Sequence, residues 1–399
     1  MSTTTANPET IEIQTPAWMD DLRRKYIAGV AHAFLLHGNI GDMVALNTSV
    51  LKYLFLVFKT FDIIVVYDRA HGLEFPLASM REAFIEALDL KPKAPNNPML
   101  AQMGLGQPQQ QDPLEPFRAP AAALALLDRF LRLPPAPGQP PKKFMVIINH
   151  AETIVPASDS AQMSPEDRTA MVMVSGWGND RDIAATGRIV FLTTPSLTDI
   201  HAQVRSPSNK YEAYQLKLPD AGERLAFIES IPTSIREKFE WRMTTQELAY
   251  ATASLSRTHL LDLVRRAGLD GYLDRAMVNE RRKQITLQEY EGVMEARDPR
   301  FGWEAIGGLD HIKSFLNQVA QRMRAGKTRL VPAGIMFLGP AGTGKSAVAE
   351  AFAKECGVNF AQIYLGQLLG KYVGDSESNL ERLLQALEAL APVVVFADE

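Results

Sequence analysis

At 399 residues the chain is too long for one ordinary hydrophobic core, so two or three domains are expected. Its 42 Lys+Arg against 46 Asp+Glu give a net charge of −4, which excludes a global basic field for nucleic acid, while 46% hydrophobic residues matches a soluble globular protein. A single cysteine, Cys356, excludes internal disulfides and cysteine-built zinc clusters.

Residues 1–15 are polar and lack the apolar stretch of a signal peptide, so they read as a disordered leader of a cytoplasmic protein. From Pro16 the spacing of Trp18, Leu22 and Tyr26 predicts a helix. A strand over 33–36, a helix over 51–58, a strand over 63–67 and a helix over 80–88 follow. The most apolar stretch, 51–66, is interrupted by Lys52, Lys59 and Asp62, which marks a core segment and no membrane span. Two stretches, 91–120 and 134–141, are rich in Pro, with Gln and Asn in the first, and read as flexible insertions around a helix over 121–133. Strands over 144–148 and 189–192 flank a helix over 165–175. Such alternation predicts an α/β domain with a parallel sheet between helices, spanning 16–219. Residues 220–296 are almost wholly helical and read as a small lid-like subdomain. A second α/β domain occupies 297–399, with a helix over 310–325, a strand over 334–338, a helix over 345–355, a strand over 360–365, a helix over 377–390 and a strand over 393–396.

The run Gly339, Pro340, Ala341, Gly342, Thr343, Gly344, Lys345, Ser346 fits G-x-x-x-x-G-K-[ST]. Glycines let backbone N–H groups turn inward around phosphates, and the following helix adds its positive end. Lys345 brings a charge to the β/γ-phosphates, and the Ser346 hydroxyl is a Mg²⁺ ligand. The strand 393–396 leads into Ala397, Asp398 and Glu399. Asp398 is suited to holding Mg²⁺ and Glu399 to acting as general base toward water. A nucleoside triphosphate with Mg²⁺ is therefore the expected ligand, and the resemblance described next makes it ATP.

The segment Gly302, Trp303, Glu304, Ala305, Ile306, Gly307, Gly308, Leu309, Asp310, then the run 339–346, then Gly374 to Ser378 and Pro392 to Glu399, resembles in order and spacing the ATPase module of the classical AAA clade within the AAA+ superfamily. The resemblance implies a P-loop sheet sandwiched by helices and assembly into a homohexameric ring. It places Ile306 and Gly307 at the adenine. It makes Lys371, Tyr372 and Val373 the first pore loop, whose aromatic residue grips a protein substrate. It also implies that sensor 1, arginine fingers and a lid follow Glu399, so that this stretch alone binds ATP weakly and turns it over little. The first domain resembles a decayed copy of the same module. Arg205 matches an arginine finger acting in trans, and the strand after it reads as 216–220. Gly38 to Asp42 stand at the P-loop position without Lys or Ser/Thr, and Asn149-His150 stand in place of the acids.

Taken together, these features predict a Mg-dependent AAA+ ATPase, a ring-forming protein-remodelling motor with an inactive first module as scaffold. The alternative is a nucleotide-dependent assembly platform with little turnover. A P-loop kinase or nucleic-acid motor is disfavoured, since no basic stripe is present.

Overall fold

The computed structural model describes residues 15–90, 112–135, 138, 140–158, 163–253, 255–289, 294–297, 299–324, 331–340, 342–368, 383–384, 387 and 393–398. The chain divides after Leu218 into two compact units.

In the first unit, α1 (Ala17–Ile27) leads to β1 (Ala33–Gly38), a ribbon of β2 (Met43–Ala45) and β3 (Thr48–Ser49), then α2 (Val50–Val57), β4 (Ile63–Asp68), β5 (Gly72–Glu74) and α3 (Ala78–Ala87). There follow α4 (Pro120–Leu131), β6 (Phe144–Ile148), α5 (Pro165–Asn179), α6 (Arg181–Ala185), β7 (Ile189–Thr194), α7 (Ala202–Arg205) and β8 (Glu212–Leu216). Six strands form one sheet in the order β5-β4-β6-β7-β1-β8, parallel throughout except for β5.

The continuous apolar runs at β4, β6 and β7 are buried along their whole length because both faces of the sheet are covered. Alternate residues feed opposite cores, as a period of two requires. Leu35, Val65, Val146 and Val190 meet Phe84, Leu127, Phe130, Val174 and Trp177 on one side. Phe34, Ile64, Ile147 and Phe191 meet Met19, Leu22, Tyr53 and Leu54 on the other. This is the parallel sheet sandwiched by helices that the alternation of elements predicts.

Four local expectations are corrected, two of them in the second unit. The flexible insertion expected to end at 120 gives way to packed structure from 112. Leu114 is buried, Arg81 pairs with Asp112, and the Tyr67 hydroxyl donates to Arg118 O at 3.0 Å. Leu114, the partly buried Phe117 and a buried strand tyrosine anchor this Pro-rich segment. The strand expected at 216–220 lies at 212–216, because pairing with β1 sets its register from Phe34↔Glu212 to Gly38↔Leu216.

That unit opens with α8 (Ala221–Ser230), α9 (Thr233–Arg236), β9 (Glu240–Trp241), α10 (Thr245–Ala251), α11 (Arg257–Asp270), β10 (Tyr272–Leu273) and α12 (Arg275–Glu289). Asp220 with Glu223, and Thr244 with Glu247, form reciprocal capping boxes that start α8 and α10. Buried Arg224 donates to Pro219 O and Ala249 O, tying α8 to the end of α10.

Next come β11 (Met294–Arg297), α13 (Asp310–Arg324), α14 (Lys345–Cys356), β12 (Asn359–Tyr364), α15 (Leu365–Leu368) and β13 (Val393–Asp398). The strand order is β11-β12-β13, with β11 antiparallel and β13 parallel to β12. Residues 294–296, read from sequence as the end of the helical segment, therefore lie in this sheet. The strand expected at 334–338 does not form. Residues 334–338 have no ladder partner, and Met336 and Leu338 are 82% and 88% exposed. The equivalent strand of the first unit, β1, is held between β7 and β8, both later in the chain than β6. The described residues of the second unit contain no counterpart of β7 or β8, and backbone N–H and C=O groups do not make a strand without a ladder.

Candidate nucleotide site

The loop 339–344 ends directly in α14. Gly342 and Gly344 both have φ of +81°, a left-handed conformation that glycine adopts without steric cost. A Cβ at either would have nothing within 4 Å, so the concave side of the loop is open. Gly344 is the N-cap of α14 and no side chain caps the helix, which leaves its first N–H groups directed at the loop. Lys345 Nζ donates to Gly339 O and Pro340 O, both at 2.9 Å, and Thr343 Oγ1 donates to Pro340 O at 2.9 Å. Ser346 is exposed beside them. Such a cradle of free N–H groups, one ammonium and one hydroxyl fits a triphosphate with its metal ion.

Helix α14 is fixed by residues at helical spacing. Val348, Phe352 and Cys356 pack on Leu316, Val319 and Ala320 of α13, while Ala349 and Ala353 pack on Phe360 of β12. Cys356 is thus a buried packing residue, as its position at the end of the helix suggests. Ile306, expected at the adenine, joins the same cluster as Phe337 and Val348, so the fold brings it to the P-loop helix. Gly307 is exposed beside it.

Asp398 is the last residue of β13, opposite Tyr364, in a strand that packs on α14. Its side chain lies outside what is described, as do Ala341, Glu399 and the expected pore-loop residues Lys371, Tyr372 and Val373. Two residues that sequence reasoning passed over also hold this region. Lys313 and Asn317 of α13 bond the segment 303–306, and their i, i+4 spacing on one helix face was the available signal.

The corresponding place in the first unit is built differently. Gly38 N–H donates to Pro195 O, Asn39 N–H to Leu216 O and Ile40 N–H to Gly38 O. Three N–H groups at the P-loop position are thus taken by the protein's own carbonyls. Gly38 has φ of +92°, and a Cβ there would lie 2.7 Å from Leu216 O, so the loop is pressed against β8. Asp42 is buried and accepts from Asn39 Nδ2 at 3.0 Å. The ribbon β2–β3 separates β1 from α2, and Ser49 caps that helix by accepting from Lys52 N–H. In place of an acidic pair, Asn149 Oδ1 accepts from Thr193 Oγ1 at 2.8 Å, and His150 is held at φ +52°.

Arg205 ends α7, half-buried, and its guanidinium has no partner among the described residues. The segment that follows is seated on α5. Tyr211 donates to Val174 O at 2.7 Å, and a Cβ at Gly178 would lie 2.1 Å from Asn209 O.

A separate polar group, Asp68, His71 and Glu74, has ligand atoms within 4.8 Å of one another. Its geometry is that of a turn. Asp68 Oδ1 accepts from the N–H groups of Ala70 and His71, and His71 Nδ1 lies 3.0 Å from both carboxylate oxygens. Burial acts to raise the Asp68 carboxyl, but the His71 and Ala70 donors outweigh it and hold it below the usual carboxylate range. The hydrogen bond to Asp68 in turn raises the His71 imidazole above its ordinary value. A raised histidine stabilises the fold fully below its unfolded pKa of about 6.5 and loses that contribution as pH rises through the folded value. The lowered Asp68 loses its contribution as pH falls through its own folded value. His71→Asn is therefore expected to lower the melting temperature more at pH 6 than at pH 8.5, and an equal drop at both would exclude the ion pair.

The profile of the AAA+ chaperone N-terminal Rossmann-like domain matches residues 7–213, and that of the ATPase family associated with various cellular activities (AAA) matches residues 335–399. The chain is similar to the peroxisomal ATPase PEX6 of Arthrobotrys oligospora, 29% identical over 253 residues that cover 55% of this chain and 21% of that protein. It is similar to the ATPase family gene 2 protein homolog B of Bos taurus, 24% identical over 278 residues, 64% of this chain and 35% of that one. Over 108 residues it is 37% identical to the cell division cycle protein 48 homolog of Archaeoglobus fulgidus, covering 25% of this chain and 15% of that one. The matches thus span 15–35% of the length of these relatives. No helix among the described residues is long and apolar enough to cross a membrane.

Proposed function

The chain belongs to the AAA+ ATPase family, and from that premise we propose that it binds ATP at the loop 339–346, hydrolyses it, and serves in a homohexameric ring that remodels protein substrates. The observation that carries this reading is the open loop itself, with two left-handed glycines, an uncapped helix end and Lys345 resting on neutral carbonyls. Lys345 exchanges those carbonyls for phosphate oxygens, and the free N–H groups of the helix end bind the phosphates they face. Ser346 and Asp398 would hold Mg²⁺, which when bound supplies charge neutralisation at the phosphates. Glu399 takes the proton of the attacking water.

The first module acts as scaffold, since three of its equivalent N–H groups are already bonded to Pro195 O, Leu216 O and Gly38 O. Arg205 reaches the nucleotide of a neighbouring subunit, and Lys371, Tyr372 and Val373 grip an extended polypeptide. A cytoplasmic protein acting on other proteins, without nucleic acid, is the setting that the near-neutral composition favours. In the intact protein, Tyr372→Ala is expected to keep basal phosphate release and to lose its stimulation by casein. Undiminished stimulation would end the threading model, and ATP-dependent assembly without turnover would favour the platform instead.

A further inference from the structure

The P-loop helix also holds the stretch of chain that runs from β11 to α13. Glu350 and Lys354 lie four residues apart on one face of α14. Glu350 Oε1 accepts from Arg300 N–H at 3.0 Å, and Lys354 Nζ donates to Pro299 O at 3.4 Å. A Cβ at Gly302 would lie 3.2 Å from Glu355 Oε1, so the chain runs hard against the helix there. Directly beyond, Trp303 and Ile306 pack in one cluster with Val348 and Phe352 of the helix and with Phe337.

Phe337 stands two residues before Gly339 and Val348 two residues after Ser346, so that cluster seats both ends of the phosphate loop. Loosening 299–302 frees Trp303 and Ile306, and with them the apolar contacts that fix the two ends of the loop. Glu350 is only 3% exposed. Drawing a carboxylate out of water is costly even when it is bonded, so the stretch lies closed by a smaller margin than its apolar contacts alone would give. Local opening at low cost is the condition under which a bound ligand can shift a segment.

We propose that 299–302 is a strap sensitive to the nucleotide: the bond from Arg300 N–H to Glu350 keeps closed the cluster that seats the phosphate loop, so strap attachment and phosphate binding strengthen one another. The inference rests on nucleotide binding at the loop 339–346. It adds a route by which occupancy of that loop reaches β11, which follows the helical segment ending at Glu289. Reciprocity requires that whatever the strap adds to nucleotide affinity, the nucleotide adds to strap closure.

The test is hydrogen exchange of the full chain, read by mass spectrometry with and without ATP and Mg²⁺, with ATP occupancy followed by displacement of a fluorescent ATP analogue. At ATP about ten times its Kd, exchange in 299–305 is expected to slow about tenfold, while 144–148 in the first unit stays unchanged. Glu350→Ala should weaken ATP by about tenfold and abolish that slowing. Glu350→Gln, whose amide oxygen accepts the same bond, should keep both near the unsubstituted values. Bound ATP without slower exchange in 299–305 would overturn the strap, and so would equal losses in the alanine and glutamine variants. Failure of the unsubstituted protein to bind ATP would instead remove the nucleotide reading on which the proposal stands.

Discussion

Replacing Lys345 with alanine should weaken ATP binding by on the order of 100-fold, measured by titration of a fluorescent ATP analogue against the full chain. The ammonium donates to two neutral carbonyls of its own loop, Gly339 O and Pro340 O. Against phosphate the same donors would make charge-assisted bonds, each worth about 1.5–3 kcal/mol where a neutral bond is worth about 1. Two such exchanges gain about 3 kcal/mol, and each 1.4 kcal/mol is a factor of ten. The loop carbonyls that lose the lysine are exposed to water, so the same substitution should move the thermal unfolding midpoint little. An affinity within threefold of the unsubstituted protein would show that the helix end and its glycines hold the phosphates without the charge.

Arg188→Ala is expected to cost about 3 kcal/mol of stability, a large share of the 5–15 kcal/mol typical of a domain. Arg188 is only 2% exposed and enters the sheet just ahead of β7. Its guanidinium donates to Leu131 O and Leu133 O and lies 4.9 Å from the centre of the Phe144 ring. Those carbonyls belong to the C-terminal end of α4 and the turn after it, where the helix has unpaired acceptors and a negative pole. Burial pushes the guanidinium pKa down, yet arginine stays charged at any pH the protein meets. Alanine would leave the buried Leu131 carbonyl and the half-buried Leu133 carbonyl unpaired, with a cavity against Phe144. Methionine would refill the cavity and remove the buried charge, so Arg188→Met should cost less. Denaturant unfolding followed by near-ultraviolet dichroism measures both, and an unchanged midpoint for the alanine variant would show that water reaches the two carbonyls.

Much of the fold is legible in the sequence because its signals are local. The apolar runs at 63–67, 144–148 and 189–192 are long enough and continuous enough to be strands buried on both faces, and they are. Glycines and a lysine at fixed spacing define the loop 339–346 before any coordinate is known. The run 334–338 looks equally strand-like, yet it forms no ladder, because a strand depends on neighbours that its own residues do not supply. Residues 112–120 look like a linker, yet Leu114 reaches the core and Arg118 O accepts a buried tyrosine hydroxyl.

The amino-acid sequence by itself determined the chemistry of the nucleotide loop, the α/β alternation and the absence of Lys and Ser/Thr from the first module's loop, since each depends on residues within a few positions of one another. Only the tertiary structure decided how that first loop is closed, with its N–H groups taken by Pro195 O and Leu216 O from strand ends far along the chain. It also decided that Arg188 is buried against a helix end 57 residues away, and that Lys313 and Glu350 hold the segment before α13 from two different helices. A hydrogen-bonding group must find a partner wherever the fold brings one. Residue type states the need, and packing alone supplies the partner.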